Sequence, residues 1–193
     1  MSGGGFITTR LNLYPFIIIL PWLSSRFWRP VKYFVGAVAV ALILIHLGFT
    51  TYYYKILNDG LDEYNSGIPF VGKNETILPI SFNHGGESAR IGLYLHAAGY
   101  YCAAKGAIEL DNYEAGTGYF PLKYKLSMNP FNTIGEIESG TGDIHPEAYP
   151  EPMDYILLWC PIETFPALEW IQKNYKLIHS QKRLRLYKYL GDL

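Results

Sequence analysis

The loop FNHGGESAR, residues 82–90, contains residue types that commonly bind an anion. It follows a predicted strand and precedes a predicted helix, which is where the ligand crevice of an open α/β sheet lies. Gly85 and Gly86 would let the backbone approach a phosphate, His84 adds a polar ring, and Arg90 adds positive charge. The alternative is a turn in which the two glycines only satisfy backbone geometry. His84, Gly85, Gly86 and Arg90 therefore form a candidate anion site.

A further cation, Arg10, lies at the start of the first apolar segment of the chain. An arginine at the mouth of a membrane helix can pair bidentately with the phosphate or diphosphate of a lipid. It can equally act as an interfacial anchor whose guanidinium group stays in water. Both interpretations stay open, and Arg10 joins the candidate residues for a lipid phosphate.

The segment NYEAGTGYFPLKY, residues 112–124, is the most aromatic part of the second half of the chain. The rings of Tyr113, Tyr119, Phe120 and Tyr124 could stack on a sugar, and the carboxylate of Glu114 could accept hydrogen bonds from its hydroxyl groups. Aromatic rings that close a small core are the commoner explanation. The candidate sugar site is centred on Tyr113, Glu114, Tyr119 and Phe120.

Metal and thiol chemistry have weaker signals. Asp143, His145 and Glu147 alternate in DIHPE, as oxygen and nitrogen ligands can, but a surface loop is the simpler interpretation, so we expect no metal. Cys102 and Cys160 would pair in an oxidising compartment, although each lies in an apolar element where a free thiol packs as a small hydrophobe. We find no dinucleotide, P-loop, zinc-protease or serine-hydrolase motif, and we expect no cofactor.

Composition separates the chain into two parts. The 193 residues have a formal net charge of -1, so no bulk charge indicates a nucleic acid partner. Most of the first 57 residues are apolar or aromatic, whereas the remainder has the composition of an ordinary globular domain. We therefore predict a membrane segment over residues 1–57 and a small α/β domain over residues 58–193.

The membrane segment is predicted to be a hairpin of two transmembrane helices, over about 8–24 and 32–56. The run Tyr33–Tyr54 contains no charged residue and is long enough to cross a hydrocarbon core of roughly 30 Å. The first run carries Pro15 and Pro21, which membrane helices tolerate where neighbouring helices satisfy the freed backbone groups. It is also too weak at its cleavage site to be a secretory signal. Membrane lipid is therefore an expected partner.

Orientation follows from the basic loop SSRFWRPVK between the two runs. Its three cations, Arg26, Arg29 and Lys32, place the loop in the cytoplasm under the positive-inside rule. Everything after the second helix then lies outside, so we expect an integral protein of a bacterial inner membrane with an extracytoplasmic domain.

The predicted domain alternates strands and helices. TILPISF and YILLWC have the composition of buried strands, and AIELDNYE indicates another strand with its exit loop. A helix is predicted over 93–105, and a second over ETFPALEWIQKNY with Pro166 in its first turn. YKLIHS and RLRLYKY alternate on either side of Gln181 and Lys182, which predicts a closing hairpin. This order favours an α/β layer with some parallel pairing.

The segment order resembles a known family. The opening SGGGFITTRLNLYPFIIILPWL, a basic loop, a membrane helix, MDYILLWC and a closing RLRLYKY strand resemble the C-terminal end of bacterial multi-spanning glycosyltransferases. These enzymes use polyprenyl-phosphate sugars, as dolichyl-phosphate-mannose–protein mannosyltransferases do. The resemblance implies sugar transfer from a lipid-phosphate donor on the outer face, with a polyprenyl-phosphate sugar and upstream transmembrane helices as partners. It places the acidic catalytic residues in an earlier outer loop, so no catalytic residue is assigned here.

Two functions follow from these observations. In the first, the chain is the C-terminal portion of such a glycosyltransferase and is inactive alone. In the second, it is a membrane-anchored periplasmic binding or assembly module without catalysis, which binds a ligand near His84 and Arg90.

Overall fold

The computed structural model describes residues 28–86, 92–112, 115, 121–128 and 144–192. The chain divides into two compact units, with the boundary between Tyr52 and Tyr53. The long helix α1, Arg29–Asn65, contributes residues to both units.

In the first unit, the described part of the chain is the apolar portion of α1. Apolar side chains point outward all round this portion: Leu42, Ile43, Leu44 and Ile45 are all more than half exposed. A helix that is hydrophobic on every side needs an apolar environment. Among the described residues, α1 is the one helix long and apolar enough to cross a membrane. The other predicted transmembrane helix, at about 8–24, lies outside the described residues.

The second unit is built on a mixed five-stranded sheet in the order β2-β1-β3-β5-β4. Its strands are β1 (Thr76–Ser81), β2 (Ile108–Glu109), β3 (Tyr155–Trp159), β4 (Tyr175–Gln181) and β5 (Leu184–Tyr189). β1 pairs in parallel with both β2 and β3. β5 runs antiparallel to β3 and to β4. The predicted α/β domain with some parallel pairing is therefore confirmed.

Each face of the sheet is covered by helix. On one face, Ile156 and Leu158 of β3 pack with Ile171 of the helix α3, Leu168–Asn174. On the other face, Leu157 and Trp159 pack with Tyr101 of the helix α2, Gly99–Lys105, and with Tyr64 near the end of α1. Both faces of β3 are buried because its residues are apolar throughout, as a central strand requires.

Two predicted helix boundaries were wrong. The helix expected over 93–105 begins only at Gly99, and residues 93–98 form turns. The N–H groups of Leu95, Ala97 and Gly99 each bond to the carbonyl three residues earlier, which gives turns and not an α-helix. α3 begins at Leu168 with Ala167 as its N-cap, so Pro166 lies before the helix and not in its first turn.

The closing hairpin was predicted correctly, and its turn is one residue later than expected. Gln181 still pairs with Leu184, so Lys182 and Arg183 make the turn. Lys182 has a positive φ of 44°. The register of β4 shifts between Leu177 and His179, which marks an irregularity in the ladder.

Candidate functional site

The carboxyl ends of β1 and β3 form the point where strand order reverses. From β1 the chain passes to β2 on one side of it and later returns to β3 on the other side. Open α/β sheets bind ligands at such a point. Ser81, the last residue of β1, is in register with Trp159, the last residue of β3. The N–H of Phe82 then donates to the carbonyl of Trp159 at 3.0 Å, so the two strand ends stay together.

Three of the residues whose buried polar atoms lack hydrogen-bond partners in the described part of the chain lie at or just after these strand ends. The atoms are the hydroxyl of Ser81, both ring nitrogens of His84 and the indole nitrogen of Trp159. Ser81 is only 7% exposed, and Trp159 is fully buried. Leaving one such group unsatisfied costs about 1–3 kcal/mol, so a set of three residues indicates a place where water or a ligand binds.

The imidazole of His84 is neutral at physiological pH. Burial lowers its pKa, and the nearby His96 lowers it further. One ring nitrogen is then a donor and the other an acceptor. Together with the Ser81 hydroxyl and the Trp159 N–H, the site presents uncharged donors and acceptors. This set suits hydroxyl groups better than it suits an anion.

The loop after β1 is a turn closed by its own asparagine. The Asn83 side chain accepts a hydrogen bond from the N–H of Gly86 at 2.8 Å. Gly86 has a φ of 55°, and a Cβ at this position would lie 2.6 Å from the ring of Tyr94. The N–H of Gly86 is therefore engaged inside the turn, and this glycine satisfies backbone geometry and a close approach. Gly85 lies in the same turn, half-buried.

Three packed aromatic rings, those of Tyr64, Tyr94 and Trp159, form an aromatic wall next to the carboxyl end of β3. The rings of Tyr94 and Trp159 have centroids 4.6 Å apart, and Tyr64 contacts both. The hydroxyl of Tyr101 donates to the carbonyl of Tyr64 at 2.6 Å. Sequence reasoning missed this wall, because Tyr94 and Tyr101 were placed together only as members of the helix predicted over 93–105, and Tyr64 is distant from both in sequence.

A buried ion pair joins α1 to the hairpin turn on the same face. The carboxylate of Glu63 is 4% exposed and lies 2.8 Å from Nη2 of Arg183. It also accepts hydrogen bonds from Nε of Arg183 at 3.2 Å and from the backbone N–H of Arg183. The guanidinium group lies 5.0 Å from the ring centroid of Trp159. Its hydrogen bond to Glu63 raises the pKa of Arg183, so the guanidinium group stays charged.

Sequence reasoning also missed this pair. Its one signal is Glu63 at helical spacing from the buried Leu57 and Gly60, on the apolar side of the helix tail. A single acidic residue on the buried face of a helix needs a cationic partner from another part of the chain, but the helical spacing does not identify that partner.

Several other predicted site residues lie outside the described residues: Arg10, Arg90, Tyr113, Glu114, Tyr119 and Phe120. Tyr124, the other ring of the predicted aromatic segment 112–124, is among the described residues. Its hydroxyl donates to the carbonyl of Glu109 and accepts the N–H of Asn112, both at 2.8 Å. It therefore holds its loop to the end of β2.

The alternative metal and thiol sites do not form in the described residues. Nδ1 of His145 is 2.8 Å from Glu147, but no group of three possible metal ligands assembles there. Asp143 is not among the described residues. Cys102 and Cys160 are both free. Burial raises the pKa of Cys102 to about 11, and burial also raises that of Cys160, so both are uncharged thiols at neutral pH.

Comparison of the chain with protein-family models, with curated proteins and with solved structures found no match.

Proposed function

We propose that this chain is a membrane-anchored domain that binds a sugar at the carboxyl ends of β1 and β3, on the outer side of a bacterial inner membrane. The observation that carries the proposal is the set of buried, unpartnered polar atoms on Ser81, His84 and Trp159 at the point where strand order reverses.

The chemistry of this set supports a sugar. A pyranose carries several hydroxyl groups, each of which both donates and accepts a hydrogen bond. The neutral imidazole of His84 offers one donor and one acceptor, the Ser81 hydroxyl offers both, and the Trp159 indole offers a donor. His84 itself is partly exposed, so a ligand can reach its ring through a rotamer change, whereas Ser81 and Trp159 are buried.

The anchor is supported by the character of α1. Its apolar portion is exposed on all sides and is long enough to span a bilayer. The extracytoplasmic side is supported by basic residues at the start of this helix, which the positive-inside rule places in the cytoplasm. Arg29 begins α1, and Lys32 lies in its first turn.

The test is a thermal-shift titration of the detergent-solubilised chain with mannose, glucose, N-acetylglucosamine and undecaprenyl phosphate. We expect at least one sugar to raise Tm, because a ligand that binds only the folded state stabilises it. His84→Gln and Ser81→Ala should abolish that shift. His145→Gln, which changes an exposed histidine elsewhere in the domain, should preserve it. A flat response to the whole panel would exclude sugar binding at this edge.

The anchor and its orientation need a separate test, because sugar binding does not depend on them. A phosphatase reporter fused after Leu193 should be active in intact bacteria, and a fluorescent reporter that matures only in the cytoplasm should stay dark. The opposite pattern, or a chain that stays in solution without detergent, would contradict the membrane assignment.

A second candidate is the C-terminal portion of a polyprenyl-phosphate-sugar-dependent glycosyltransferase. It is favoured by one observation: an apolar helix continues without interruption into a small mixed α/β domain, which is the segment order of the resemblance. The domain would then hold the acceptor or cover the site of transfer, and upstream residues would carry the catalysis. Coding sequence upstream of Met1 should contain further apolar helices and an acidic outer loop. A stop codon and a ribosome-binding site directly before Met1 would rule this candidate out.

A further inference from the structure

A cavity of about 560 Å³ opens at the opposite edge of the sheet, where the parallel strands begin. Thr76 begins β1, Ile108 begins β2, and Asp154 immediately precedes β3, and all three line the cavity. The segment 121–128 forms another wall, through Lys123, Tyr124 and Lys125. This cavity lies at the other end of β1 from Ser81 and His84, so it is separate from the sugar site proposed above.

Two lysines give one wall a positive charge. Lys123 and Lys125 occupy alternate positions in a stretch without helical structure, and both side chains are exposed. Neither makes an ion pair or a hydrogen bond within the described residues. Two ammonium groups on one wall form a pair of donors for a single carboxylate or phosphate group.

Two acidic residues, Asp154 and Glu151, also line the cavity. Oδ2 of Asp154 accepts hydrogen bonds from the backbone N–H of Thr76 at 2.6 Å and from its hydroxyl at 2.8 Å. The hydroxyl of Thr76 also accepts the N–H of Asp154 at 2.9 Å. These three bonds hold the carboxylate in place, and Oδ1 has no partner in the described part of the chain. The carboxylate of Glu151 adds a second acceptor group to the lining.

The remaining lining is partly apolar and includes one ring that is held in place. The Tyr124 hydroxyl is held by the backbone at the end of β2, so its ring cannot move freely into the cavity. Ile108 and Pro152 add aliphatic surface beside it. Because these groups are in place before a ligand arrives, little ordering is needed on binding.

We propose that this cavity binds a sugar that carries an anionic group, either a carboxylate or a phosphate. Lys123 and Lys125 hold the anion, the oxygens of Asp154 and Glu151 accept hydrogen bonds from the sugar hydroxyl groups, and Ile108 and Tyr124 contact its carbon face. A neutral sugar lacks the group that the lysines recognise. A bare anion lacks the hydroxyl groups that the carboxylates recognise and is repelled by their charge.

The test is isothermal titration of the full chain in detergent with glucuronate, glucose 6-phosphate, glucose and inorganic phosphate. We expect at least one of the two anionic sugars to bind, and glucose and inorganic phosphate each to bind about tenfold or more weakly than that sugar. Preference between glucuronate and glucose 6-phosphate identifies the anionic group. Equal affinity for glucose would overturn the role of the lysines. Equal affinity for inorganic phosphate would overturn the role of the carboxylates, and no binding of either anionic sugar would overturn the site.

Variants assign the binding to this cavity. Lys123→Gln with Lys125→Gln should weaken binding of the anionic sugar about tenfold or more, whereas the matched pair Lys173→Gln with Lys176→Gln should leave it unchanged. Equal affinity in the two double variants would refute the site. Should the first variant fail to fold, the salt dependence of the unmodified protein decides, because a charge-dependent site must weaken between 50 and 500 mM NaCl. His84→Gln should not alter this binding, which distinguishes this cavity from the other edge.

Discussion

Replacing Arg183 by methionine removes the cation that neutralises the buried carboxylate of Glu63. Two of the three hydrogen bonds to that carboxylate disappear, and only the backbone N–H of Arg183 still donates to it. The methionine keeps much of the aliphatic bulk over Trp159 but loses the cation–π contact. The variant therefore isolates the charge and not the volume.

The expected loss can be worked from the exposure of the two partners. Removing one partner of a fully buried pair costs about 3–5 kcal/mol, because the other charge is left uncompensated. Here the side chain of Glu63 is 4% exposed but that of Arg183 is 33% exposed, so water can partly replace the guanidinium group. We therefore expect a loss of about 2–3 kcal/mol in the free energy of unfolding. For a domain of this size that corresponds to roughly 5–10 °C in Tm.

The assay is thermal unfolding of the full chain in detergent, followed by intrinsic fluorescence. Arg185→Met is the matched control, because Arg185 lies two residues beyond the turn, on β5, and its side chain makes no ion pair in the described region. The double variant Glu63→Leu with Arg183→Met should recover to within about 1 kcal/mol of the unmodified protein, since an apolar pair needs no solvation. A drop of less than about 1 °C for Arg183→Met alone, or a double variant as unstable as the sum of both single variants, would refute the reasoning.

Three further predictions concern the same unit. Burial lowers the pKa of His84 below its unfolded value of about 6.5, so the folded state loses stability as pH falls below that value. His84→Gln should therefore flatten the decline in Tm between pH 7.5 and 5.5. An unchanged decline in the variant would contradict this. Gly60→Ala should destabilise by about 1–3 kcal/mol, because its Cβ would collide with the hydroxyl of Tyr94, whereas Gly36→Ala on the same helix meets no neighbouring atom and should not lower Tm. Ile156→Ala, at a fully buried position of β3, should cost about 2–5 kcal/mol in denaturant unfolding, and a loss under about 1 kcal/mol would show that the core is not packed as described.

Elements whose pattern is complete within one short segment were predictable. The charge-free run 33–54 required a long helix, because every face of it is apolar, and α1 extends through that run. The alternation in RLRLYKY and the apolar run YILLWC likewise became β5 and β3. In each case the element forms because one or both of its faces are apolar, and consecutive residues of the sequence show which faces these are.

The boundaries of α2 and α3 were not predictable in the same way. Residues 93–98 have helical spacing, but a tertiary hydrogen bond from the N–H of Tyr94 ties them to His84. The N–H groups of Ala97 and Gly99 then bond three residues back, as in turns, and not four. A local pattern reports what a segment favours by itself, and a tertiary hydrogen bond can outweigh a preference of a few tenths of a kcal/mol per residue.

The sequence by itself determined the apolar helix, the alternation of strands and helices, and His84 as a residue of interest. Only the tertiary structure decided that His84 shares an edge with Ser81 and Trp159, that Asp154 shares a cavity with Lys123, and that Glu63 pairs with Arg183, 120 positions away. The physical reason is that periodicity records neighbours within one element, whereas strand order and crossover direction decide which distant residues meet. The candidate sites on this protein depend on contacts between residues that are far apart in the sequence.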